Sequence, residues 1–259
     1  MNLQKCYLTN NDCYNTEKTI KPMGVMVHST GANNPWLKRY VQPNDGKLGN
    51  NIYRNDWNRP KLSVCVHAFI GKLADGSVAT YQTLPWDLRG WHSGGGKNGS
   101  ANDTHISFEI CEDSLADKQY FDAVYKEAVE LTAMLCKEYK LDPLADGVVI
   151  CHSEGCKRGI ASNHGDVMHW FPKHGKSMDT FRKDVAALVN APTPSPAPEP
   201  YKVKVMLSAL NIRRGPSANT SLVSIIKDKG VYTIVDTQNG WGKLKSGIGW
   251  INLYYTKKV

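Results

Sequence analysis

From residue 24 the chain alternates short apolar runs with polar, glycine-containing breaks, and the period of each run predicts an element. The run from Gly24 to Thr30, closed by Gly31, predicts a buried strand that delivers His28 at its end. Residues 35–42 predict a short helix. From Ser63 to Ile70, Val64, Val66, Ala68 and Ile70 alternate with Ser63, Cys65, His67 and Phe69, the period of a strand. The turn at residues 74–77 then leads into a strand over 78–83. A further strand over His105–Ile110 sets Ser107 and Glu109 on one face against Ile106, Phe108 and Ile110 on the other.

The clearest helix spans residues 117–140, where Tyr120, Val124, Ala128, Leu131, Leu135 and Tyr139 make one apolar stripe at three- and four-residue spacing. Residues 148–151 predict another buried strand ending in His152, and Met178 to Val189 a closing helix with Phe181, Val185 and Leu188 inward. Strands interleaved with helices imply an α/β domain, a mixed central sheet flanked by helices. Beyond residue 200 the pattern changes to six short strands over 203–207, 210–213, 223–226, 231–235, 242–244 and 249–253, separated by small and polar residues. That spacing predicts a small all-β barrel.

Between the two patterns lie five prolines in ten residues, 191–200, without a large apolar side chain. Such a stretch builds no core and favours an extended spacer. The expected organisation is therefore residues 1–190, a linker 191–200, and residues 201–259. Charge follows the same division: residues 201–259 carry ten Lys or Arg against Asp228 and Asp236, which accounts for the whole net charge of +8. A basic module of this kind suits a polyanion, whether nucleic acid, an anionic membrane surface or an anionic cell wall, or a basic surface kept for solubility.

The N-terminus lacks the apolar core of a secretory signal, and no apolar run approaches membrane-spanning length, so the expectation is a product made in the cytoplasm. The seven cysteines are odd in number and lack paired C-x-x-C spacing. Free buried thiols are the favoured reading, with a disulfide or a metal-ligating Cys156 as the alternatives.

Two strand-end histidines, His28 and His152, and Asp166 fourteen positions after the second, offer two imidazoles and one carboxylate. A catalytic zinc ion takes three such protein ligands and keeps a fourth position open. The segments Val25–Thr30, Val66–Ile70, Val78–Gln82, Arg89–Gly95, Ser107–Ile110 and Cys151–Glu154 come in an order that resembles the type 2 N-acetylmuramoyl-L-alanine amidases, a family that includes phage endolysins and peptidoglycan recognition proteins. The resemblance covers about residues 20–175 and is nearest to amidase endolysins of phages that infect Gram-positive bacteria.

The resemblance implies Zn2+ held by His28, His152 and a third ligand best matched by Asp166. Val167 stands where the family usually has Pro, and His164 and Cys156 compete for the third place. It implies that zinc polarises the scissile carbonyl and lowers the pKa of a bound water, that Glu109 takes the proton, and that His164 steadies the oxyanion. His67, Trp91 and His92 are candidates for the substrate groove, the last two beside the glycine run 94–96. His105, His169 and His174 are read as structural or surface residues, and Glu112, Asp113 and Glu154 as solvated.

Residues 201–259, through Leu210–Ser217, Gly240–Leu244 and Gly249–Ile251, resemble bacterial SH3-like cell-wall-targeting domains. Trp241 and Tyr254, with Tyr255 behind them, are the candidate wall-binding residues, and Trp250 is placed in the core. The expected partner is Gram-positive peptidoglycan, with neither nucleic acid nor a membrane, and nothing in the sequence sets an oligomeric state. The resemblance further implies release to the wall through a holin. The rival readings are a host autolysin, a non-catalytic recognition protein and a nucleic-acid-binding protein.

Overall fold

The computed structural model describes residues 1–191 and 199–259. Most of the expected linker, residues 192–198, lies outside the described residues. The chain divides into two compact units, Met1–Ala191 and Pro192–Val259.

In the first unit the elements run β1 (Leu3–Lys5), α1 (Asp12–Asn15), β2 (Gly24–Ser29), β3 (Ala68–Lys72), β4 (Val78–Gln82), β5 (His105–Ile110), α2 (Lys118–Tyr139), β6 (Val149–Cys151), α3 (His152–Lys157) and α4 (Met178–Asn190). The strands form one six-stranded sheet in the order β1-β4-β3-β5-β2-β6. Only β3 and β4 pair antiparallel, joined by the tight turn at 74–77, and the other neighbours are parallel. The α/β reading with a mixed sheet holds.

The helix expected at 117–140 forms because Asp117 caps it, accepting from the Tyr120 N–H, and it ends where Lys140 turns left-handed at φ 55°. Its apolar stripe of Tyr120, Val124, Ala128, Leu131 and Leu135 packs on Val25, Val27, Ile106, Phe108 and Ile110 of the sheet. Phe181 and Val185 of α4 close that core, whereas Leu188 stays 39% exposed, against expectation. The other sheet face carries a second cluster with Leu37, Tyr40, Phe69 and Tyr81.

Three local differences matter for the site. The residues 63–67 before β3 join no ladder beyond a single bridge from Cys65 to Trp91, so the expected strand begins only at Ala68. Residues 35–42 hold one 3-10 turn, Leu37–Arg39. Cys13 and Cys65 form a disulfide, which overturns the reading of all seven cysteines as free thiols; the other five are free. The odd count hid a pair 52 residues apart that meets only when α1 folds against the 63–67 segment.

The second unit contains β7 (Tyr201–Val205), β8 (Leu210–Arg213), β9 (Leu222–Ile226), β10 (Val231–Gln238), β11 (Trp241–Leu244), β12 (Trp250–Asn252) and β13 (Thr256–Lys258). They make one antiparallel sheet in the order β13-β7-β10-β11-β12-β8-β9 around Val203, Val205, Leu210, Ile212, Ile234, Leu244 and Ile251. This architecture is consistent with an SH3-like region. Among the described residues no helix is long and apolar enough to cross a membrane.

Candidate functional site

Strand register assembles the site. In the parallel pairs, His28 stands opposite Glu109 and Val27 opposite Cys151, so His28 and His152 emerge side by side at the C-terminal ends of β2 and β6. Carboxyl ends of parallel strands are where open α/β sheets place their ligands. Asp166 arrives from the loop after α3, anchored by Val167 and Trp170, both fully buried in the main core. Val167 thus packs the loop in the place where the resemblance expects a proline.

The three residues converge. Nδ1 of His28 lies 3.1 Å from Asp166 Oδ2 and 3.1 Å from Nδ1 of His152, which is 3.9 Å from Asp166 Oδ1. All three ligand atoms fall within 4.8 Å of one another. Cys156, the competing third ligand, is not part of this group, and His164 stands behind it with its ring centroid 4.6 Å from that of His152.

The hydrogen bonds of Ser162 set the His152 tautomer. The Ser162 hydroxyl donates to the Ser93 carbonyl at 3.1 Å, so it can only accept from His152 Nε2 at 3.2 Å and from His164 Nδ1 at 3.1 Å. His152 therefore keeps its proton on Nε2 and turns a bare Nδ1 towards His28 and Asp166. His28 Nε2 lies 3.0 Å from His92 Nδ1, and when it donates there His28 Nδ1 is bare and faces the same centre. In that form two bare nitrogens and a carboxylate face one another, an arrangement that a divalent cation completes; without one, a proton on His28 Nδ1 donated to Asp166 satisfies it. Zinc bonds of about 2.0–2.1 Å in a tetrahedron set neighbouring ligand atoms roughly 3.3 Å apart, so the observed separations fit that ion.

Burial tunes the neighbours. It pushes the Glu109 carboxyl well above its usual range, reinforced by the charges of Asp166 and Glu112, and Glu109 Oε2 is buried without a partner among the described residues. Burial, then His28, lowers His152 to about 4 and carries His92 well below the ordinary histidine value. For Asp166, burial alone would raise the carboxyl, but the hydrogen bond and charge of His28, with the charge of His152, outweigh it and hold it low.

These groups line an open cleft of about 610 Å³ that also takes in Trp57, Val64, Trp91, Ser162, His164 and His169. Trp91 and His92 thus lie where the groove was expected. His67 does not: it is fully buried, accepts the Ser107 N–H at Nδ1 and bonds the Leu88 carbonyl through Nε2 at 2.7 Å. Its role is to join β5 to the loop at 88, because a side chain with no exposed surface meets no substrate. The reading of Glu112 and Asp113 as solvated also fails, at 3% and 8% exposure. Glu154 is bound by Arg182. His105 and His174 are structural as expected, bonded to the Gly147 and Leu115 carbonyls, but His169 faces the cleft. Ser162 and His169 were missed, since isolated polar residues in a loop carry no periodic signal.

In the second unit Tyr254 is 86% exposed with the Tyr255 ring 5.2 Å away, while Trp241 is buried at 8% and Trp250 is half-buried. The two tryptophans are the reverse of expectation. Ile251 takes the inward position on β12, so strand alternation turns Trp250 to the opposite face.

Fold and site together define an α/β protein with a His-His-Asp group, able to hold a metal, on the floor of a cleft. The N-acetylmuramoyl-L-alanine amidase family profile matches residues 18–169, more than half of the chain, and the chain belongs to that family. The N-acetylmuramoyl-L-alanine amidase CwlH of Bacillus subtilis (strain 168) is 43% identical over 58 residues, which is 22% of this chain and 22% of CwlH. The match thus spans about a fifth of that relative's length. A crystal structure of the Staphylococcus aureus hydrolase AmiA with its ligand shares the fold at a TM-score of 0.51 and 18% identity, covering 73% of this chain and 83% of that one. A mutant endolysin from Bacillus subtilis aligns at a TM-score of 0.49 and 21% identity, over 71% of this chain and 99% of that one.

Proposed function

We propose that this chain is a zinc-dependent hydrolase of the amide between the lactyl group of N-acetylmuramic acid and L-alanine in peptidoglycan. The observation that carries the reading is the convergence of His28, His152 and Asp166 beside the unpartnered Glu109 Oε2. These three side chains would hold the zinc ion, which when bound supplies a Lewis acid that polarises the scissile carbonyl. Glu109 takes a proton from the attacking water and returns it to the departing nitrogen, a task suited to a carboxyl whose proton affinity burial has raised. His164, whose Nδ1 donates to Ser162, presents Nε2 to the oxyanion that develops on the carbonyl and donates to it in the ring form that carries both protons. Ser162 keeps His152 in the ligating tautomer.

Residues 201–259 in this proposal are an SH3-like module that holds the enzyme on the anionic wall through their basic surface and the exposed Tyr254. Such tethering raises the effective concentration of the cleft at an insoluble substrate. The cellular role we favour is a phage or prophage endolysin of Gram-positive hosts, made in the cytoplasm and released through a holin. The Cys13–Cys65 disulfide suits a place of work outside the reducing cytosol.

Digestion of purified Gram-positive wall, with and without a zinc chelator, tests the chemistry. The expected products are new L-alanine amino termini, lost with chelator, without new reducing sugar ends. Wall binding with no new ends of either kind would instead favour a recognition protein.

A further inference from the structure

Glu112 lies just past the end of β5, 3% exposed, and no Lys or Arg of the described residues reaches its carboxylate. Oε1 accepts from the Gly31 N–H at 3.1 Å and faces His169 Nε2 at 2.8 Å, while the Glu112 N–H donates to Thr30 Oγ1 at 3.0 Å. Gly31 can offer its N–H there because it adopts φ +60°, which a side chain would resist. One buried carboxylate therefore ties the loop after β2 to the segment that carries His169. Buried carboxylates persist when a partner compensates them, and here the partner is an imidazole.

His169 is 39% exposed and lines the same cleft as Glu109 and the His-His-Asp group. Its Nε2 is committed to Glu112, which leaves Nδ1 without a partner among the described residues. No Lys or Arg lines the cleft. Of the other four imidazoles in it, His28 and His152 meet Asp166, His92 meets His28, and His164 has one nitrogen open but rests on the neutral Ser162 hydroxyl, which does not compensate a charged ring as Glu112 does. An anion arriving at His169 Nδ1 selects the ring form that carries both protons, because the second N–H then donates to it and Glu112 compensates the charge.

We propose that His169, positioned by Glu112, is an anion subsite that binds a free carboxylate of the stem peptide next to the scissile amide. The residue following L-alanine is the first that can present one. The inference rests on the amidase reading above, and it makes the Glu112–His169 pair a determinant of specificity between carboxylate and carboxamide forms of that residue.

The test uses the full chain and two soluble probes, N-acetylmuramoyl-L-alanyl-γ-D-glutamyl-L-lysine and its counterpart with the carboxamide, measured by release of L-alanine amino termini and by calorimetric binding in the Glu109→Gln background. For a charge-assisted contact the expected KM and Kd are about tenfold lower for the carboxylate probe. In His169→Gln and in Glu112→Gln that preference falls to parity, while kcat changes in parallel on both probes. A wild-type protein without preference, or a preference that survives His169→Gln, overturns the subsite. Weakening of both probes equally also overturns it, as that is the mark of a merely structural pair. If neither probe is cleaved but the tenfold binding preference is present and lost in His169→Gln, the subsite stands and the amidase reading falls.

Discussion

His67 gives a stringent check on the physical reading, because it looks like an active-site histidine in the sequence and behaves as a core residue in the fold. Its ring is fully buried with both nitrogens bonded, and burial lowers it from 6.5 to about 4. The folded chain therefore refuses a proton that the unfolded chain accepts below pH 6.5, so this residue's contribution to stability is complete above the unfolded value and is lost as pH falls towards the folded one. At about 1.4 kcal/mol per pH unit, acidification from 6.5 to 5 removes about 2 kcal/mol.

His67→Gln can keep one of the two hydrogen bonds but has no proton to gain. At pH 7 it should be less stable than the parent by about 1–3 kcal/mol, the effect of leaving a buried polar group unpaired. On acidification to pH 5 the parent should lose about 2 kcal/mol that the variant retains, so the gap closes or reverses. Urea unfolding followed by tryptophan fluorescence at pH 7, 6 and 5 measures this directly. A gap that stays constant over that range would refute the reasoning. So would a variant that folds normally yet loses affinity for the muramoyl tripeptide, since that would return His67 to the groove.

Glu109→Gln should lower turnover by about 10²- to 10⁴-fold in the amino-terminus assay while zinc content by elemental analysis stays at the parental level. Asp166→Ala should lose zinc on dialysis against a chelator concentration that the parent withstands; undiminished occupancy would move the third ligand elsewhere. Reduction of Cys13–Cys65, or the double Ser variant, should lower stability by about 2–4 kcal/mol, read as a drop in Tm of the first unit, because the bond closes a long loop of the unfolded chain. Raising salt from about 0.05 M to 0.5 M should release the protein from intact wall while leaving cleavage of the soluble tripeptide carboxamide nearly unchanged, since exposed basic charge is screened and the cleft contains no Lys or Arg. Tyr254→Ala should weaken wall retention at low salt in a pull-down without altering that cleavage.

The periodic parts of the chain were the legible ones. β5 was read to the residue, with Glu109 and the core-facing Ile106, Phe108 and Ile110 on the faces assigned, because six alternating positions leave one register. α2 was equally plain from its stripe. The short segments were not. β1 pairs over three residues, the 63–67 run alternates yet finds a ladder partner only at Cys65, and α3 opens at His152 itself where the sequence suggested only a strand end. Glu112 and His67 were misjudged for one reason: whether a polar side chain is buried depends on loops that cross it from far along the chain, here the segments at 31, 88 and 169. The exchange of Trp241 and Trp250 comes from strands of four and three residues, too short for alternation to distinguish inside from outside.

Histidines dominate the cleft, and their burial divides their work. His28 and His152, at 1% and 4% exposure, have each one nitrogen fixed by a neighbour and the other aimed at Asp166. Burial opposes protonation of His152 and so favours at the centre the neutral ring with a bare nitrogen that a cation requires. His164 and His169 stand on exposed ground, each tied through one ring nitrogen, to Ser162 and to Glu112, and each with the other nitrogen free to meet a substrate. In the proposed mechanism the same side chain thus serves as ligand on the floor of the cleft and as donor at its rim, and what separates the roles is the depth at which the sheet and its loops place it. A lysine would fail on the floor, where it offers a charge in place of a lone pair; at the rim it still donates to an oxyanion but lacks the second nitrogen through which Ser162 or Glu112 holds the ring.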